Sequence, residues 1–193
     1  MKVLLISPAG WNPNMPPASI VYLAGYLKKN GVDVTIRDLS VETFDCIMSS
    51  VTISFLYERA IIKKQTIPKD SVFYNLYCEI IKVIPFLYEN INSAKEDLKT
   101  VDCILNMKKY QIATSIINLV SNCLSALYFP FIYNHVEISY PNVKEDPELF
   151  RDVISDPDKN PLIHFYERIV SEIAGTKYDV IGISFSGITQ TIP

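Results

Sequence analysis

The sequence predicts an α/β protein: a parallel sheet of about three strands with a large all-helical insertion between strands two and three. Residues 1–40 read strand, helix, strand. Residues 178–193 open on another apolar strand pattern, and the periodicity between the two ends is helical almost throughout. The expected organisation is residues 1–40 as the first βαβ part of one domain and 41–177 as the insertion. Residues 178–193 then supply the third strand and the start of the next helix of the same domain.

Lys2 to Ser7 is a continuous apolar run, as expected of a strand buried on both faces of a parallel sheet. The loop PAGWNPNMPP follows, and its four prolines and two asparagines forbid regular structure. Pro17 suits a first helical turn, where its missing N–H costs nothing, and the helix ASIVYLAGYLKKN stops at Gly31. Ile20, Leu23, Ala24 and Leu27 are expected to face the sheet. Asp33 to Ile36 supplies the second strand, with Arg37 and Asp38 at its carboxyl end. Strand, crossover helix and strand in so short a span make one right-handed parallel unit.

The third strand waits until Tyr178 to Phe185, roughly 135 residues later, where such a unit normally needs one helix. Helices are expected over 42–62, 71–90 with a kink at Pro85, 93–106, 108–129, 147–155 and 161–174. Tyr128 to Tyr140 is aromatic and β-branched and has extended character. A doubly wound sheet usually has five or more strands, so the chain reads as a fragment. Its third strand would leave an exposed edge that invites self-association.

Composition narrows the partners. Lys and Arg total 18 against 21 Asp and Glu, and no basic run exceeds two residues, so no nucleic acid is expected as a partner. The cysteines at 46, 78, 103 and 123 form no CxxC clip and read as small buried hydrophobes of a reducing compartment. The apolar run VLLIS is too short for a secretory leader, so a cytoplasmic location is expected. From Tyr110 to Val136 no charged residue occurs, a length that could cross a bilayer. Gln111, Ser115, Asn118, Asn122 and Ser125 nevertheless recur at helical spacing as a polar stripe, so the segment reads as a buried or groove-lining helix with no membrane involved. That stripe could wall a cavity or satisfy hydrogen bonds between packed helices.

Two loops carry candidate chemistry. A dinucleotide site after strand one would need GxGxxG, and Gly10 is the only glycine there. Asp38 stands where a ribose-binding acid would, and Trp11 either stacks on a flat ligand or anchors its loop. After strand three, Gly182-Ile183-Ser184-Phe185-Ser186-Gly187-Ile188-Thr189-Gln190 offers hydroxyls beside glycines, so that a ligand can lie close to the backbone.

The succession VLLISP, Pro-Pro, YLAGYLKKNG, VDVTIRDL, NPLIHFYERIVSEI and YDVIGISFSGITQ, over about residues 1–40 and 160–193, resembles the N-terminal cobalamin-binding domain of cobalamin-dependent radical S-adenosylmethionine enzymes. The resemblance implies a truncated Rossmann-like (flavodoxin-like) sheet with cobalamin across the carboxyl ends of the strands. By position, it implies that Ser7, Pro8 and Ala9 border the corrin's lower side. Ser184, Ser186 and Thr189 would line the groove for the nucleotide tail.

The chain departs from the wider pattern of cobalamin domains in two ways. The DxHxxG motif with its cobalt-ligating histidine is absent, and His135 and His164 both lie in the insertion, so no protein ligand to cobalt is expected. No CxxxCxxC occurs either, so S-adenosylmethionine and the 4Fe-4S cluster would belong to a missing downstream domain. The parent enzyme would transfer a methyl group or drive a related radical modification, and this fragment would bind cobalamin weakly and be inactive alone. Two alternatives stand beside this reading. One is the N-terminal half of a two-domain glycosyltransferase, whose chains open similarly. The other is a helical docking module for a substrate or partner, presenting Tyr57, Tyr74, Tyr77 and Tyr88.

Overall fold

The computed structural model describes residues 1–10, 13, 15, 17–134, 137–141 and 146–184. The elements run β1 (Lys2–Ser7), α1 (Ala18–Lys29), β2 (Asp33–Asp38), α2 (Leu39–Ile47), α3 (Ser50–Thr66), α4 (Val72–Leu98), α5 (Val101–Leu105), α6 (Met107–Leu127), β3 (Ile132–Asn134), β4 (Glu137–Ser139), α7 (Pro147–Ser155), α8 (Ile163–Ala174) and β5 (Val180–Ile183). The fold is α/β, with a parallel sheet in the order β2-β1-β5. The residues between β2 and β5 are not all helical, because the β-branched and aromatic stretch before Tyr140 forms the short strands β3 and β4. The chain divides into two compact units, Met1–Phe44 with Val136–Pro193, and Asp45–His135.

In the first unit β1 is the central strand. It pairs with β2 from Lys2 opposite Asp33 to Ser7 opposite Asp38, and with β5 from Val3 opposite Val180 to Ile6 opposite Ile183. Val3, Leu4, Leu5 and Ile6 are all buried, as a strand hydrogen-bonded on both sides and covered on both faces requires. Val3, Leu5 and Val34 pack with Ile20 and Ala24 of α1, and Leu27 and Val32 close the cluster. Leu23 does not join it and is exposed, because the inward stripe of α1 is narrower than four positions per two turns. Gly31, at a φ of +77°, turns the chain from α1 into β2 in a conformation that suits glycine. β5 is an edge strand among the described residues, and its Val180, Ile181 and Ile183 stay exposed.

The second unit is helical. Tyr77, Ile80, Ile84, Leu87, Ile91 and Ala94 alternate at spacings of three and four along α4, forming one apolar seam. The seam explains why α4 is a single helix where two were expected at 71–90 and 93–106. Pro85 lies on its exposed side, where water can reach the carbonyl that the proline leaves unpaired. α4 packs on α3 and α6, whose buried stripes are Ile53, Leu56 and Ala60 on one, and Ala113, Ile116, Ile117, Val120, Leu124 and Leu127 on the other. The helix expected over 42–62 is broken. Ser49, extended at its own position, accepts from the Thr52 N–H at 3.2 Å and caps a new helix.

Cys103 and Cys123 are buried and all four cysteines are free, with burial pushing the Cys123 thiol up to about 11. Among the described residues no single helix is long and apolar enough to cross a membrane, and α2 with α3 reaches that length only as a bent pair.

Two expectations about stability follow from the first unit. A Cβ at Gly182 would stand 3.0 Å from Leu5 Cδ2, a side chain locked in the core. Gly182→Val should therefore cost about 1–3 kcal/mol in urea unfolding, as overpacking does. Burial also pushes the Tyr166 phenol up to about 12, with Thr43 pulling it back. A phenol raised above its ordinary value adds stability that is intact below about pH 10 and lost as the pH climbs towards 12. Chemical unfolding should show Tyr166→Phe losing about 2 kcal/mol less than the parent chain between pH 9 and pH 11.5.

Candidate ligand site at the carboxyl edge of the sheet

The register brings Ser7, Asp38 and Ser184 into one row at the carboxyl ends of the strands. Ser7 lies opposite Asp38, and the Ser184 N–H donates to the Ile6 carbonyl at 3.0 Å, directly beyond the Ile6 to Ile183 pair. Strand order reverses at β1, with β2 on one side and β5 on the other.

The loop after β1 is tied down at once. The Ser40 hydroxyl donates to the Pro8 carbonyl at 3.2 Å, Ala9 is buried, and Gly10 adopts a φ of +97°, a conformation open to glycine and strained for other residues. Ser7 is 2% exposed.

α1 starts at the same edge. Pro17 precedes it in an extended conformation and gives no side-chain cap, and the first intrahelical bond runs from the Val21 N–H to the Pro17 carbonyl at 3.3 Å. The N–H groups of Ala18, Ser19 and Ile20 thus have no partner within the helix, as at any uncapped helix start. The Ser19 and Ser184 hydroxyls lie 3.1 Å apart, so the first turn of α1 meets the chain leaving β5.

α2 starts differently. Asp38 accepts from the Ser40 N–H at 3.0 Å and from the Val41 N–H, as a helix cap does. Burial raises its carboxyl above the usual range, while the two N–H groups pull it back. The acid that by position suggested a ribose is thereby engaged in holding α2. Beside it, Arg37 donates from Nε and Nη2 to both oxygens of Glu42 at 3.0 and 2.5 Å, and from Nη1 to Glu172 of α8 at 2.9 Å. These bonds, Glu42 first, hold the guanidinium charged well above its ordinary value against the cost of burial. A planar fork with two carboxylates filling it is a structural clamp and offers a ligand little.

Of the residues expected to contact cobalamin, Ser7, Pro8, Ala9 and Ser184 stand together at this edge, while Ser186 and Thr189 lie outside the described residues, as do Trp11 and His135. Ser19 and Ser40 complete the edge and were missed, because nothing in their local sequence shows which strand end they meet. His164 lies exposed on α8, its Nδ1 3.0 Å from Glu167. Gln111, Ser115, Asn118 and Asn122 of the polar stripe are exposed on α6, so they neither wall a cavity nor bridge helices. Only Ser125 turns inward, where its hydroxyl accepts from the Tyr133 N–H at 2.9 Å. Tyr57 and Tyr88 are exposed, Tyr77 is buried in the α4 seam, and Lys64 lies over the Tyr74 ring. Among the described residues no three His, Cys, Asp or Glu side chains gather as metal ligands would.

No protein-family model, curated protein or solved structure matches the chain.

The two roles of Asp38 can be separated by substitution. Asp38→Asn keeps a capping oxygen and removes the desolvated charge, so at pH 7 it should leave stability unchanged or raise it. Asp38→Ala removes the cap and should cost about 1 kcal/mol. The parent's disadvantage should grow as the pH rises through the carboxylate range, because the folded state holds the Asp38 proton more tightly than the unfolded one.

Proposed function

We propose that this chain is a cofactor-holding module of the cobalamin-binding kind that its terminal segments resemble, on a Rossmann-like sheet with its insertion between the second and third strands. The observation that supports this most is the strand order β2-β1-β5 with Ser7 and Ser184 side by side at the carboxyl ends. In open parallel sheets ligands settle in the crevice where strand order reverses. The β1–β5 seam carries the small residues Ser7, Ala9, Gly182 and Ser184, so a narrow group could approach the backbone.

The donor set also suits this reading. Hydroxyls and N–H groups match the amide and ribose-phosphate oxygens of a nucleotide tail. Bound cobalamin would supply methyl-transfer or radical chemistry. The chain's own part is to seat the tail against the seam and limit the water around it. The iron-sulfur and S-adenosylmethionine chemistry of such an enzyme would belong to a separate domain.

Equilibrium dialysis against hydroxocobalamin should show weak, saturable uptake with no spectral sign of a nitrogen ligand below the cobalt. Cobinamide, which lacks the nucleotide tail, should bind about fivefold more weakly, the worth of one lost hydrogen bond. Ser184→Trp, which fills the seam's mouth, should abolish the difference. No uptake, equal uptake of the two corrinoids, or an unaffected S184W variant would each overturn the reading.

A further inference from the structure

We infer that β5 is a self-association surface: two copies of this chain pair antiparallel along it, joining their three-stranded sheets into one in the order β2-β1-β5-β5-β1-β2. Among the described residues β5 is paired on one side only, with β1, so the alternate N–H and C=O groups that face away from β1 form an open ladder. Val180, Ile181 and Ile183 along it are 48%, 48% and 53% exposed, and the run from Val180 to Ser184 has no charge and no proline. Edge strands are ordinarily guarded by charged side chains, proline or a bulge. The opposite edge of the same sheet is guarded, since β2 carries Asp33, Arg37 and Asp38, and Arg37 is held by Glu42 and Glu172. One edge invites a strand and the other refuses one, which stops growth at two copies.

The sequence of β5 fits a copy of itself. Leu5 packs with Ile20 and Ala24 of α1 and stands opposite Gly182. Val180, Gly182 and Ser184 therefore belong to the α1 face of the sheet, and Ile181 and Ile183 to the other. An antiparallel pair with its two-fold axis at Gly182 sets Ile181 against Ile183 of the second copy, twice, and Val180 against Ser184. Apolar β-branched pairs of this kind stabilise a ladder. Gly182 meets itself on the axis, where no side chain holds the backbones apart.

Charge fixes the register. Asp179 bounds the neutral run, and its carboxylate accepts from the Lys2 N–H at 2.7 Å and lies 4.0 Å from the N-terminal ammonium. An axis moved one residue towards the amino end would set Asp179 against Ile183 of the second copy, and two residues would set it against Ile181, desolvating a carboxylate beside an aliphatic side chain. With the axis at Gly182 no charged residue lies within the paired run. The two copies of Asp179 then stand about 20 Å apart along the strands, beyond the range of unscreened repulsion in ordinary salt.

Area sets the strength. A short ladder with three aliphatic side chains from each copy buries less than the roughly 800 Å² per partner of a stable complex. A reversible dimer with a dissociation constant on the order of 10–100 µM is the expected result.

Pairing along β5 needs no bound cofactor, so dimerisation and corrinoid uptake succeed or fail separately. Sedimentation equilibrium of the whole chain from about 5 to 500 µM should carry the average mass from one chain towards two. Over the same range hydrogen exchange of the Val180–Ser184 amides should slow about fivefold, as the share of monomer falls. Ile181→Lys and Ile183→Lys each place a charge on the exposed edge, and both should stay monomeric with the melting midpoint of the dilute parent. Tyr22→Lys, on the exposed side of α1, should dimerise as the parent does. A parent that stays monomeric across the range overturns the inference, as does assembly beyond two copies, a dimer whose β5 amides exchange unchanged, or a Y22K variant that loses dimerisation. Lysine variants of β5 that dimerise like the parent overturn it too, and if one of them unfolds, the other and the parent's exchange pattern decide.

Discussion

The pairing of β1 with both of its neighbours is the constraint on which the first unit depends. Each backbone group of β1 needs a partner once Val3, Leu4, Leu5 and Ile6 are buried, and β2 and β5 together provide them. Val3 finds Val180 across almost the whole length of the chain. Closing so long a connection costs little more entropy than closing a shorter one, because that cost grows only with the logarithm of loop length. The seven helices and two short strands found among the described residues between β2 and β5 can therefore stand there without forbidding the sheet.

The same pairing decides what the carboxyl edge can do. It sets Ser7, Asp38 and Ser184 in a row, and the helices that begin there treat their own ends differently. α2 is capped by Asp38 and clamped to α8 through Arg37, so its polar groups are spent on the fold. α1 is opened by a proline that has no side-chain oxygen to give, so its first turn keeps its donors. An acid beside a strand end is thus structural here.

Much of the architecture was legible before any coordinates. The unbroken apolar run of β1, the Gly31 turn and the near-repeat of that run at Val180–Ile183 all carry local signals, and each element formed where its signal stood. Helix boundaries were less legible. α4 runs through Asn90 because its buried seam continues to Ala94, and α3 begins anew because Ser49 is extended and caps it. In both places packing or capping outweighed the weak local preference. The polar stripe of α6 has the right period for a buried face and yet is exposed, because the opposite, apolar side of the helix is the one that α3 and α4 cover.

By itself, the sequence determined the α/β class, the parallel strand pairings and the loops after β1 and β5 as the place to look, because strand periodicity and turn chemistry are properties of neighbouring residues. Only the tertiary structure decided which polar groups remain available. That Ser19 reaches Ser184 and that Arg37 is filled by Glu172 depend on residues far apart in the chain meeting in space. Hydrogen-bond satisfaction is an account settled in space, and no spacing along the chain records it.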